Sequence, residues 1–115
     1  DVENLRIYRN NSEHTLFKLR GSNISIGCNE CDAEIKEHSF NFHEGDSIYL
    51  CSDGYADQFG GEINGKFKSK NLINLILSIQ GNKIEEQGYL IKQALEDWKA
   101  GEEQTDDITV LGIQF

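Results

Sequence analysis

The feature that most constrains this chain is a change in the period of its apolar residues. Before Gly61 they alternate. Asn4 to Tyr8 sets Leu5 and Ile7 on one face, as a half-buried strand does. Thr15 to Leu19 follows the turn formers Asn10, Asn11 and Ser12, which predicts a hairpin. Ile24 and Ile26 share a face in a segment that ends at Gly27, and Ala33 to Phe42 reads as a longer strand with Phe40 and Phe42 on one side. His43 to Asp46 reads as a turn, and Ser47 to Cys51 as a further strand antiparallel to its predecessor. After Gly61 the period lengthens. Leu72, Leu75, Ile76 and Ile79 recur at helical spacing, with Ser69 placed to cap and Gly81 to stop. Ile84, Ile91, Leu95 and Trp98 form a second stripe that ends at Gly101, and its early Glu85 and Glu86 suit the positive end of a helix dipole.

The last segment, Ile108 to Phe115, is apolar on both faces: Ile108 and Val110 one way, Leu111, Ile113 and Phe115 the other. That pattern belongs to a central strand covered on both sides. The order of strands, two helices and a closing strand predicts an α+β fold. In it a largely antiparallel sheet takes the final strand among the earlier ones, and the helix pair covers one face. The first helix is apolar nearly all round (Leu72, Ile73, Leu75, Ile76, Leu77, Ile79), which fits deep burial or a contact with further chain; core is the expectation. A length of 115 residues suits one domain.

Charge and cysteine use narrow the function. A net charge of −9 opposes binding to a nucleic-acid backbone, which needs a basic face to displace counterions. It suits a site for a divalent cation, although acidic surfaces also simply keep proteins in solution. No apolar run approaches the ~18 residues of a membrane span, and no signal-peptide pattern opens the chain. The chain starts at Asp1 and has no Met, so it reads as a processed form or a cut piece with no membrane contact of its own. Three cysteines, Cys28, Cys31 and Cys51, make no disulfide framework and point to a reducing, cytoplasmic setting. Cys28 and Cys31 form a C-x-x-C pair with His38, His43 and Cys51 downstream. A zinc site would need four such ligands to converge, and a turn between strands is the plainer reading.

Two acids interrupt the apolar pattern. Asp53 closes the strand that holds Ile48 and Leu50, and Asp106 precedes the strand that starts at Ile108. If those strands are antiparallel neighbours, both carboxylates lie at one sheet edge. Like charges so close are costly unless a cation lies between them or one is protonated, and oxygen-only donors select hard cations such as Mg²⁺ or Mn²⁺. Gly54 permits close backbone approach, so its carbonyl or a water is available to the same ion. An Asp at a strand end is also a common turn former, so this spacing leaves both readings open.

The segments GDSIYLCSDGYADQFGG (residues 45–61) and EQTDDITVLGIQF (residues 103–115) resemble two C-terminal motifs of the metal-dependent protein phosphatases (the PPM, or protein phosphatase 2C-like, family). The likeness is to the bacterial branch typified by stage II sporulation protein E and the stress-response serine phosphatases. The resemblance spans essentially the whole chain. It implies that Asp53 and Asp106 are metal ligands, with Gly54 beside them, and that Asp107 orients a ligand or a metal-bound water. Asp57 receives no direct role beyond capping its turn, and residues 58–65, with three glycines, read as a mobile surface loop near the site.

The family's upstream half supplies an aspartate that bridges two metals. Asp1, Asp32 and Asp46 lack its context, so residues 1–115 are expected to form the C-terminal half of the domain. The implied reaction of the parent is hydrolysis of phosphoserine or phosphothreonine with two Mn²⁺ or Mg²⁺ ions, on a signalling protein such as an anti-sigma antagonist. This segment is expected to carry part of the metal site, no catalytic residue beyond its ligands, weak metal affinity and no activity by itself. Its nearest partner is the N-terminal half of the same domain. The rival is a pseudophosphatase that serves as a regulatory protein-binding module.

Overall fold

The structure, a computed structural model, describes the backbone of Val2–Arg9, Ser12–Leu19 and residues 37–115, and side chains in residues 15–19 and 37–115. It divides into two compact units, Asp1–Asn41 and Phe42–Phe115. In the first, β1 (Val2–Arg9) and β2 (Ser12–Leu19) form an antiparallel hairpin, with Val2 opposite Leu19 and Arg9 opposite Ser12. The hairpin expected from the alternation is therefore present, and both strands run longer than expected. The segment with Ile24 and Ile26, the Cys28–Cys31 pair and the first part of the strand expected over 33–42 lie outside the described residues. Residues 37–42 are described and join no ladder, which corrects that part of the expectation. Their aromatic alternation serves ring packing instead: Phe40 lies 6.4 Å from Phe17 between centroids, and Phe42 stacks on Phe115 at 4.3 Å.

The second unit opens at the expected turn. The Asp46 amide donates to the His43 carbonyl at 3.0 Å, and Gly45 takes φ +91°, a conformation that a side chain would penalise. β3 (Ser47–Cys51) then pairs antiparallel with β6 (Val110–Gln114), Ser47 opposite Gln114 and Cys51 opposite Val110. Between them come α1 (Gly54–Asp57), the two-residue strands β4 (Phe59–Gly60) and β5 (Gly65–Lys66), α2 (Ser69–Ser78) and α3 (Ile84–Lys99). The α+β order with antiparallel pairing is as expected.

The core joins both long helices to α1. Tyr55, Phe67, Leu72, Ile76, Ile79, Ile91 and Leu95 are buried together, with Trp98, Ile108 and Val110 packed against them. Each full burial of a Leu or Ile stabilises by about 1.5–3 kcal/mol. The all-round apolar α2 is thus core, as its composition suggested. Pairing in the ladder sets Tyr49, Gly112 and Val110 on the face that α3 covers. Gly112 has no room for a side chain without pressing on Tyr49 and Ile84. On that face the Tyr49 hydroxyl donates to Gln87 Oε1 and accepts from Gln80 Nε2, while Gln87 Nε2 donates to the Asn82 carbonyl. The buried amide of Gln87 is thereby satisfied at both its oxygen and its nitrogen.

Two expectations need correction. The final strand pairs only with β3 among the described residues, and its other face is not covered: Leu50, Leu111, Ile113 and Phe115 are all exposed. Both faces of β6 are apolar, but α3 reaches only one. The start of α2 also differs, since Ser69 is its first residue and Lys68, at φ +73°, occupies the cap position with no side-chain bond. The C-terminus of α3 closes near the expected glycine, with Ala100 at φ 47° and Gly101 at φ +97°.

Candidate metal centre

The end of β3 and the approach to β6 are stitched together by backbone and one hydroxyl. The Ser52 amide donates to the Thr109 carbonyl at 2.9 Å. Its Oγ donates to the Asp107 carbonyl at 2.9 Å and accepts from the Thr109 amide at 3.0 Å. Asp53 comes next, exposed, in the cap position of α1, and its carbonyl accepts the Asp57 amide at 3.0 Å. Gly54 is buried directly under the Asp107 carbonyl, where any Cβ would overlap that oxygen. Glycine directly after Asp53 is therefore what the crossing of two chain segments requires at this point.

Asp106 sits on the other segment, at the same end of the ladder. Its Oδ1 accepts the Asp107 amide at 2.7 Å, and its carbonyl accepts Gln104 Nε2 at 2.8 Å. Asp53, Gly54, Asp106 and Asp107 thus come from the two adjoining strand ends, and the hydrogen bonds between those ends run through main chain and the Ser52 hydroxyl. Asp107 is held by its backbone, the carbonyl by Ser52 Oγ and the amide by Asp106 Oδ1. Asp57 forms an ion pair with Lys66 Nζ at 2.9 Å, both about half exposed, which is worth at most about 1 kcal/mol.

The segment 58–65 is not the mobile loop expected from its glycines. Phe59 pairs with Lys66 and Gly60 with Gly65. Gln58 is buried, 1% exposed. Its carbonyl accepts both the Trp98 indole N–H and the Phe67 amide at 3.0 Å, and its Nε2 donates to the carbonyls of Phe59 at 3.0 Å and Glu103 at 2.9 Å. The Gly61 amide donates to the Trp98 carbonyl at 2.9 Å, and Gly60 lies so close to that carbonyl that no Cβ fits. Gly60 and Gly61 allow close approach to α3 rather than freedom, and residues 61–64 form an exposed tip. Ser52 and Gln58, which hold the acidic segment, carry no charge and repeat at no telling interval. A single sequence offers no signal for them.

The donor set suits a hard cation in kind. Asp53 and Asp106 offer carboxylate oxygens that water can reach, and the surrounding backbone offers carbonyls. In number it is partial, for no group of three or more His, Cys, Asp or Glu is placed to hold a metal among the described residues. His38, His43 and Cys51 form no such group either. Burial pushes the Cys51 thiol above its ordinary value, although the residue keeps part of its surface open, and that disfavours the thiolate a zinc site needs.

The sequence pattern of the family described as Stage II sporulation protein E (SpoIIE) matches residues 4–115. Among solved structures, the chain is similar to the SiaA-PP2C domain of Pseudomonas aeruginosa, with 26% identity and a TM-score of 0.75 over 88% of this chain. The match spans 39% of the length of that domain's chain. No curated protein matches the sequence.

Proposed function

The chain belongs to the stage II sporulation protein E family of PP2C-like phosphatase domains, and from that premise we propose that it is the C-terminal half of a metal-dependent protein serine/threonine phosphatase. The observation that carries the reading is the crossing of Ser52–Gly54 over Asp107–Thr109, which sets Asp53 and Asp106 at one end of the β3–β6 ladder. These two carboxylates would hold Mn²⁺ or Mg²⁺, with Gly54 allowing close backbone approach and Asp107 orienting what binds there. A bound divalent cation supplies activation of water and neutralisation of charge on a phosphoryl group. What this chain contributes is the fixed geometry of two acids from two strands and an edge that water and a phosphorylated side chain can reach. The substrate in this reading is a phosphoserine or phosphothreonine on a signalling protein such as an anti-sigma antagonist, in the cytoplasm. Among the described residues no helix is long and apolar enough to cross a membrane.

The complementary half of the domain is the partner that the fold asks for. The apolar sheet face formed by Leu50, Leu111, Ile113 and Phe115 lies uncovered, and the related PP2C domain is far longer than the matched segment. The test uses the whole parent domain with a phosphoserine peptide. Mn²⁺-dependent phosphate release is expected, lost in Asp53→Asn and in Asp106→Asn, with no turnover by residues 1–115 alone. Robust hydrolysis by the isolated 115-residue chain would refute the division of the site between two halves. Tight Mn²⁺ binding that survives Asp53→Asn would refute the ligand assignment. A parent that binds its target without any hydrolysis is a regulatory module instead.

A further inference from the structure

We propose that Gln58 is a positioning residue of the metal centre, fixing through the Glu103 carbonyl the segment that carries Asp106. This rests on the phosphatase reading above. Between the end of α3 and the start of β6 the chain has little to hold it. Residues 103–107 are exposed and make no backbone–backbone hydrogen bond among the described residues. Main-chain polar groups then depend on side chains or water for position. Two side chains outside the segment take that role, one at each end. Ser52 Oγ holds the Asp107 carbonyl, and Gln58 Nε2 holds the Glu103 carbonyl, each at 2.9 Å. Asp106 is suspended between these tethers.

Gln58 is suited to hold its end still. Its own carbonyl is gripped by Trp98 and Phe67, and its side chain is almost wholly buried. Both N–H bonds of the amide are used, so its orientation is set, and Oε1 is buried without a partner among the described residues. A buried acceptor without a bond is destabilising. An apolar side chain of the same length would escape that cost while filling the same space, so core stability does not account for an amide here. What the amide supplies is a pair of donors, to Phe59 beside it and to Glu103, and only the second reaches the segment that carries Asp106.

The test is calorimetric titration of the whole parent domain with Mn²⁺, beside thermal unfolding of the metal-free protein. Gln58→Met should weaken Mn²⁺ binding about tenfold or more, the range seen when partners that orient metal ligands are removed. Gln58→Glu, which keeps the shape but even when protonated has one donor where the amide has two, should weaken it too. Gln87→Met is the matched control: that glutamine is equally buried, but its bonds run to Tyr49 and Asn82. It should lower Tm and leave Mn²⁺ affinity unchanged. Wild-type affinity retained in both Gln58 variants overturns the role of Gln58 alone. A wild-type domain that binds no Mn²⁺ overturns the metal centre together with it.

Discussion

Gly54 and Tyr55 stand side by side and fail in different ways when changed. Gly54 lies against the carbonyl of Asp107, and backbone cannot retreat as a side-chain tip can. Gly54→Ala should therefore destabilise by about 1–3 kcal/mol, read as a lower midpoint in urea denaturation, and should loosen the Asp53–Asp106 edge. Tyr55 is 1% exposed, and its hydroxyl donates to the Ile91 carbonyl at 2.7 Å. Burial first, and the nearby Cys51 second, push its pKa up to about 12 from an ordinary 10.0. Above pH 10 the unfolded chain sheds a proton that the folded protein keeps. Stability should thus fall as pH rises from 10 towards about 12, by about 2–3 kcal/mol in all. Cys51, also raised by burial, adds a contribution of the same sign above its ordinary 9.0. Chemical denaturation across pH 9 to 12 should show this slope, shallower in Tyr55→Phe. At this scale the acids were legible, because a charge at the end of an apolar run stands out. Ser52 and Gln58 were not, since their importance lies in which carbonyl they reach after folding.

Among the elements, those with long repeating stripes were readable and those made by backbone alone were not. α2 and α3 declare themselves through apolar residues every three or four positions, and both bury those residues as expected. β4 and β5 have two residues each and one of each pair is glycine, so no period exists to detect. The glycines of this segment suggested mobility, whereas close packing against Trp98 is the reason for Gly60 and Gly61. Residues 37–42 alternate like a strand but have no ladder, because alternation marks a face and does not supply a partner strand. One glycine in α3 has no such reason. Gly88 sits inside the helix, exposed, with nothing within 4 Å of an added Cβ. Its flexibility only adds entropy to the unfolded state. Gly88→Ala should stabilise by about 0.5–1 kcal/mol, seen as a rise in Tm, and a fall instead would mean that this face of α3 is covered in the whole protein.

For the molecule as a whole, the telling fact is that the sequence made β6 apolar on both faces while the second unit covers one. Leu50, at 56%, Leu111, at 49%, Ile113, at 43%, and Phe115, at 50% exposed, form one continuous sheet face beside Phe42. Solvated faces of antiparallel sheets are normally polar, and contiguous apolar patches on a monomer mark a contact surface. The doubly apolar pattern thus states the strand's chemistry, while within the second unit only one of its faces is covered. In the proposed arrangement the missing half of the phosphatase domain covers this face and brings the remaining metal ligands to the adjacent edge. That ties two measurements together. Ile113→Glu should make the isolated chain less prone to concentration-dependent self-association in analytical ultracentrifugation, because it breaks this apolar face. In the parent domain the same substitution should bury a carboxylate and destabilise by about 2 kcal/mol or more. If Ile113→Glu leaves the parent as stable as the wild type, this face is solvated in the whole protein, and the second half of the domain must be sought elsewhere.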